Sequence, residues 1–147
     1  MEKKHYMAHI KAPREKVWDT MLSEETYRLW ASAFTEGTYY EGNWATGSKM
    51  KFLAPGTDGS IIGMYGLVRE SKKPEYIIVQ HMGEIRDDKE DPWPQNDVAL
   101  ETYKLEDKDG DTIVHIDIDV PKDWADEMDE KWPEALMLLK DLAENKS

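Results

Sequence analysis

The strongest hydrophobic pattern in the chain lies near its C-terminal end. Between Pro121 and Asn145, the residues Trp124, Met128, Trp132, Ala135, Leu136, Leu139 and Leu142 recur three or four apart, which is the apolar stripe of one long helix. Asp123 is placed to cap its first turn, and Asp126, Glu127, Asp129 and Glu130 suit the positive end of the helix dipole. Pro133 has no backbone donor and crowds the carbonyl four residues back. The pattern therefore predicts either a kink there or a second helix beginning near Trp132.

Upstream the period changes. Residues 3 to 11 alternate, with Tyr6, Ala8 and Ile10 on one side and His5, Met7, His9 and Lys11 on the other, the pattern of a strand with one wetter face. Pro13 then opens a helix whose apolar face is Val17, Trp18, Met21 and Leu22. Ser23 is set to cap a second short helix, Glu24 to Trp30, with Tyr27 and Trp30 on its inner side. From Gly37 the period is two, and strands are predicted at 37 to 43, 48 to 54, 60 to 70, 75 to 82, 98 to 105 and 112 to 120. The turn-forming runs at 55 to 59, 72 to 74 and 107 to 110 are short enough to imply antiparallel pairing.

These elements predict an α+β fold over residues 1–147, read as one domain: a curved antiparallel sheet of about six to seven strands gripping the long C-terminal helix, with two short helices after the first strand. Residues 86 to 97 read as one long polar loop, a candidate lid or binding edge, with Trp93 its single large apolar residue.

Composition narrows the function classes. The formal net charge of −12 opposes nucleic-acid phosphates and anionic lipid surfaces, and the basic residues are interleaved with acids rather than gathered in a patch. Six Trp and seven Tyr supply a core despite that charge. With no cysteine there are no disulfides, no thiol catalysis and no thiolate metal site. No run approaches the length of a membrane span and the first residues lack a signal-peptide core, so a cytoplasmic protein without membrane insertion is expected. Asn145 to Ser147 reads as a polar tail.

The ordered set Ile10-x-Ala12-Pro13-x-x-x-Val17-Trp18 with Trp30, Gly42-x-Trp44-x-x-Gly47, Gly66-x-Val68-x-Glu70 with Pro74, and Trp132-x-x-x-Leu136-x-x-Leu139-Lys140-x-Leu142 spans nearly the whole chain. In this it resembles the START-like helix-grip superfamily (SRPBCC), and within it the proteins similar to the activator of the heat-shock-protein-90 ATPase. The resemblance implies a cavity between sheet and helix for a small apolar or amphipathic molecule. Its members range from lipid carriers to cyclases and co-chaperone domains, so a chaperone is a second expected partner and no one activity follows. Lys131 stands where the family often has glycine before the helix tryptophan. His81 stands where it often has an aromatic, which makes the pocket more polar.

On the family's facing, His81, Val79 and Ile77 point to the helix side, and a neutral imidazole there could orient a ligand hydroxyl or act as a general base. A buried histidine held by the backbone satisfies the same pattern, and an outward-facing one fits it too, since Tyr76, Ile78 and Met82 make an equally apolar opposite face. Trp30, Phe34, Met50, Phe52, Met64, Tyr103, Trp132 and Leu136 are the other candidate ligand-binding residues, methionine suiting variable ligands because it repacks easily. Residue types are equally compatible with a filled core.

No metal or cofactor is expected. His5 and His9 share a strand face but stand about 13 Å apart at the rise of a strand, and the acids of 87 to 91 lack calcium-loop spacing. The run Gly42 to Lys49 has Ser48 and Lys49 in the wrong order for a phosphate loop, and a strand follows it instead of a helix. No catalytic residue is assigned. The alternatives to ligand binding are a chaperone-associated docking module, for which Ile61, Tyr65 and Leu67 offer an apolar outer face, and a cyclase or hydrolase using His81.

Overall fold

The N-terminal alternation becomes β1 (Glu2–Ile10) in the computed structural model, its even-numbered residues turned toward the core and its odd-numbered ones to solvent. The structure describes residues 1–94 and 98–145. α1 (Arg14–Leu22) and α2 (Glu24–Trp30) follow, then a 3₁₀ turn at Ala31–Ala33. Val17, Trp18, Met21 and Leu22 are buried as their spacing predicts, and so are Tyr27 and Trp30. Ser23 stands at the N-cap of α2 but makes no side-chain cap bond.

The remaining strands are β2 (Tyr39–Glu41), β3 (Lys49–Pro55), β4 (Ile61–Lys72), β5 (Tyr76–Arg86), β6 (Lys89–Pro92), β7 (Ala99–Lys108) and β8 (Asp111–Val120). They form one antiparallel sheet in the order β1-β8-β7-β5-β4-β3-β2, with β6 added beside β5. β2 is shorter than its alternation suggests, because Gly37 and Gly42, both at positive φ, bracket it.

The run 86 to 97 is not one loop. Asp87 and Asp88 both adopt positive φ, as a tight hairpin turn requires, and β6 folds back on the end of β5. The expectation failed because a hairpin strand exposed along its length carries no hydrophobic alternation. Residues 95 to 97 of that run, and 146 and 147 of the polar tail, lie outside the described residues.

After a 3₁₀ turn at Lys122–Trp124, α3 (Ala125–Ala143) runs without interruption through Pro133, so no second helix begins at Trp132. Pro133 sits on the exposed side, while Trp132, Ala135, Leu136 and Leu139 are buried on both sides of it. Anchoring the helix on either side of the proline outweighs its one missing hydrogen bond, since each large apolar side chain buried contributes roughly 1.5–3 kcal/mol. Asp123 does not cap this helix: Trp124 occupies the N-cap, with no side-chain bond.

α3 packs against β1, α1 and α2, closing the concave face of the sheet. Its last turn is tied to the end of β1, where Lys140 Nζ donates to the His9 carbonyl (2.8 Å) and the Lys11 amide donates to Glu144 (2.7 Å). On the opposite face of the sheet, Leu53, Tyr65 and Ile85 form a second small apolar cluster flanked by Tyr39, Ile61 and Met82. That outer patch is therefore largely covered by the chain's own side chains. Among the described residues no helix is long and apolar enough to cross a membrane.

Candidate functional site

Between the concave face and α3 lies a cavity of about 510 Å³. One wall comes from the helices, through Tyr27 and Trp30 of α2, Phe34 just after it, and Trp124, Met128 and Trp132 at the start of α3. The other comes from the sheet, through Phe52, Met64, His81, Glu84, Glu101 and Tyr103. The rings meet edge to face: Phe34 and Trp132 are 4.9 Å apart at 76°, and Tyr103 and Trp132 6.2 Å apart at 67°. A residue of the segment after α2 and a sheet residue thus bracket Trp132.

Of the candidate ligand-binding residues, Trp30, Phe34, Phe52, Met64, His81, Tyr103 and Trp132 line this space. Met50, Val79 and Leu136 do not: they also face inward but are buried in the solid part of the core. Parity along a strand fixes the face a side chain takes and says nothing of where along that face the hollow opens.

Two acids of the cavity wall were missed, one of which alternation could have found. Glu101 stands two residues before Tyr103 on β7, so the same face carries both, and Ala99, Tyr103 and Leu105 around it are buried. Glu84 reaches the cavity by a different device. Across β4 and β5, Gly66 pairs with His81 but the preceding Tyr65 pairs with Gly83, which leaves Met82 as the extra residue of a bulge. The bulge reverses the phase of β5, so that Glu84 turns inward, while Ile85, still at the cavity's edge, packs in the outer cluster.

The polar groups are unevenly satisfied. The Tyr103 hydroxyl donates to one Glu101 oxygen. The other Glu101 oxygen lies 3.7 Å from His81 Nε2, beyond hydrogen-bond reach. His81 is 6% exposed, its ring edge-on to Phe52 at 5.6 Å, and among the described residues neither ring nitrogen finds a hydrogen-bond partner. The histidine is thus buried without the backbone partner that would make it purely structural. Burial, reinforced by the Glu101 charge, holds the phenols of Tyr27 and Tyr103 well above the ordinary tyrosine range, so both are neutral donors. Nearer the rim, Glu84 accepts from Arg86 (2.9 Å) and from the Trp93 indole (3.3 Å), and Trp93 faces Trp124 at 6.0 Å. The β5–β6 hairpin and the start of α3 thereby frame the mouth together.

Elsewhere, His5, His9 and His115 each face a different carboxylate, at Asp117, Asp111 and Glu106. No three potential metal ligands converge among the described residues.

Solved structures share this fold. The Aha1 protein of Colwellia psychrerythraea, solved as a dimer, aligns over 100% of both chains at 22% identity with a TM-score of 0.72. An AHSA1-like protein from Aeromonas hydrophila aligns over 97% of this chain and 92% of its own at 16% identity and a TM-score of 0.72, and a protein from Chromobacterium violaceum over 99% and 100% at 19% and 0.72. Among curated proteins none matches the sequence. The family described as activator of Hsp90 ATPase homolog 1-like protein matches residues 11–144, nearly the whole chain, and the chain, with its sheet wrapped on a terminal helix, belongs to that family.

Proposed function

We propose that this chain is a ligand-binding domain whose cavity between sheet and α3 receives a small apolar or amphipathic molecule. The observation that carries this is a hollow of about 510 Å³ lined by aromatic rings, in which a buried imidazole has both nitrogens unsatisfied. Small-molecule sites are typically cavities of roughly 300–1,000 Å³ with an apolar lining and a few converging polar groups. A buried polar group without a partner is costly, and a bound molecule supplying that partner removes the cost. Titration of the pure protein with lipids, flavonoids and aromatic metabolites, followed by amide chemical shifts, tests the reading. Shifts clustered at Met64, His81, Glu101 and Trp132 are expected, and their absence for every compound would end it.

A catalytic reading has one observation in its favour, the Glu101 carboxylate 3.7 Å from His81 Nε2, a pair that could act as an oriented base once a substrate closes the gap. Loss of turnover in His81→Ala against a candidate substrate would support it, and unchanged turnover would remove it. The docking alternative has less to stand on, because Tyr65 is buried against Leu53 and Ile85 instead of offering an exposed apolar face.

A further inference from the structure

The charged groups around the cavity are mostly of one sign. Among the described residues Glu84, Glu101 and Glu127 line it, against a single cation, Arg86, whose guanidinium is turned to Glu84 at 2.9 Å. Glu101 is the most enclosed of the four, with its side chain 14% exposed, and the oxygen not bonded to Tyr103 is the one toward His81. His81 itself is more than nine-tenths buried, lines the cavity and among the described residues makes no hydrogen bond through either nitrogen. A carboxylate accepts and never donates, and a neutral imidazole has one accepting nitrogen. In the tautomer whose Nε2 accepts, the enclosed end of the site presents two acceptors 3.7 Å apart and calls for a hydrogen-bond donor. The walls around it are faces and edges of Trp30, Phe34, Phe52 and Trp132, and aromatic faces attract cations.

We propose that the ligand is an organic cation, an amine on an apolar body, with its ammonium group between Glu101 and His81 and its apolar part among the rings of Trp30, Phe34, Phe52 and Trp132. This rests on the cavity reading above and specifies its ligand class. A carboxylate-headed lipid would place like charge against Glu101 in a partly desolvated space, which is strongly unfavourable. The formal charge of −12 on the whole chain adds long-range attraction for a cation.

Three probes with one tail and different heads test this: decylamine, decanol and decanoate, each titrated at neutral pH below its aggregation threshold and followed by amide shifts. Decylamine is expected to bind about tenfold or more tightly than decanoate, with decanol between them. Glu101→Gln keeps the shape and removes the charge, so it is expected to weaken decylamine about tenfold and decanol, which carries no charge of its own, clearly less. Decanol, uncharged, reports on the cavity and on a neutral donor in the ammonium's place. If decanoate binds as tightly as decylamine, or if Glu101→Gln weakens decanol as much as the amine, the cation assignment is overturned while the cavity stands. If none of the three binds, both readings fall. Should Glu101→Gln not fold, the wild-type ratio of decylamine to decanoate decides the matter.

Discussion

Tyr103 donates its hydroxyl to Glu101, two residues earlier on the same face of β7, and so fixes which carboxylate oxygen is left for the cavity. Removing that donor leaves an enclosed carboxylate short of a partner. Tyr103→Phe is expected to cost about 1–3 kcal/mol in denaturant unfolding. In the double variant with Glu101→Gln the loss should be smaller than the sum of the two single losses, because the residues act on one bond. Additive losses would mean that the hydroxyl serves packing alone.

The same enclosure sets an alkaline limit. Burial first, and the Glu101 charge second, raise the native values of Tyr27 and Tyr103. In the unfolded chain these phenols release protons near pH 10 while the native protein keeps them, so above about pH 10 the unfolded state binds fewer protons. Their contribution to stability is complete below that pH and is lost as pH climbs toward the raised native values. A phenolate absorbance titration run beside circular dichroism should show some of the seven tyrosines ionising only as the fold is lost. Ionisation of all seven near pH 10 with the fold intact would contradict the described burial.

Much of this framework is legible in the residues, and where it is not the reasons are physical. Period and turn chemistry locate β1, α1 and α2 within a residue or two, and the long helix with its start four residues early, because burial forces apolar residues onto one face. Glu101 was legible too, since its parity with Tyr103 places it inward, but a charged residue in an alternating strand is ordinarily assigned to water. Glu84 was not legible. Its facing depends on one unpaired residue, Met82, whose bulge is a matter of pairing between strands and leaves no mark on local composition. Nor do Met50, Val79 and Leu136 differ in type from Phe52 and Met64; only the three-dimensional placement of the helix separates core from lining.

Two tryptophans on α3's side of the cavity should separate stability from binding. Trp132 is buried and meets the rings of Tyr6, Trp30, Phe34 and Tyr103. Trp132→Ala is expected to destabilise by about 3–5 kcal/mol. Trp124, half-buried at the mouth beside Trp93, should cost about 1 kcal/mol or less when truncated, yet weaken any ligand that reaches the rim. Thermal unfolding of both variants, with titration of Trp124→Ala, reads the difference; equal destabilisation would mean that the mouth is part of the core.

His81 gives the sharpest contrast between what stabilises the protein and what equips its site. An imidazole buried with no hydrogen bond has given up hydration without replacement, whereas a phenyl ring of similar size has no such hydration to lose. Phe52 already faces it edge-on, a geometry that an added aromatic ring can keep. His81→Phe is therefore expected to leave stability unchanged or to raise it by about 1 kcal/mol, in thermal or denaturant unfolding. The same variant should bind decylamine more weakly, because the accepting nitrogen beside Glu101 is gone. That combination, a gain in stability with a loss in binding, marks a residue retained for a ligand at the expense of the fold. A loss of several kcal/mol would instead mean that the imidazole holds the sheet together, and the cavity would have to be explained without it.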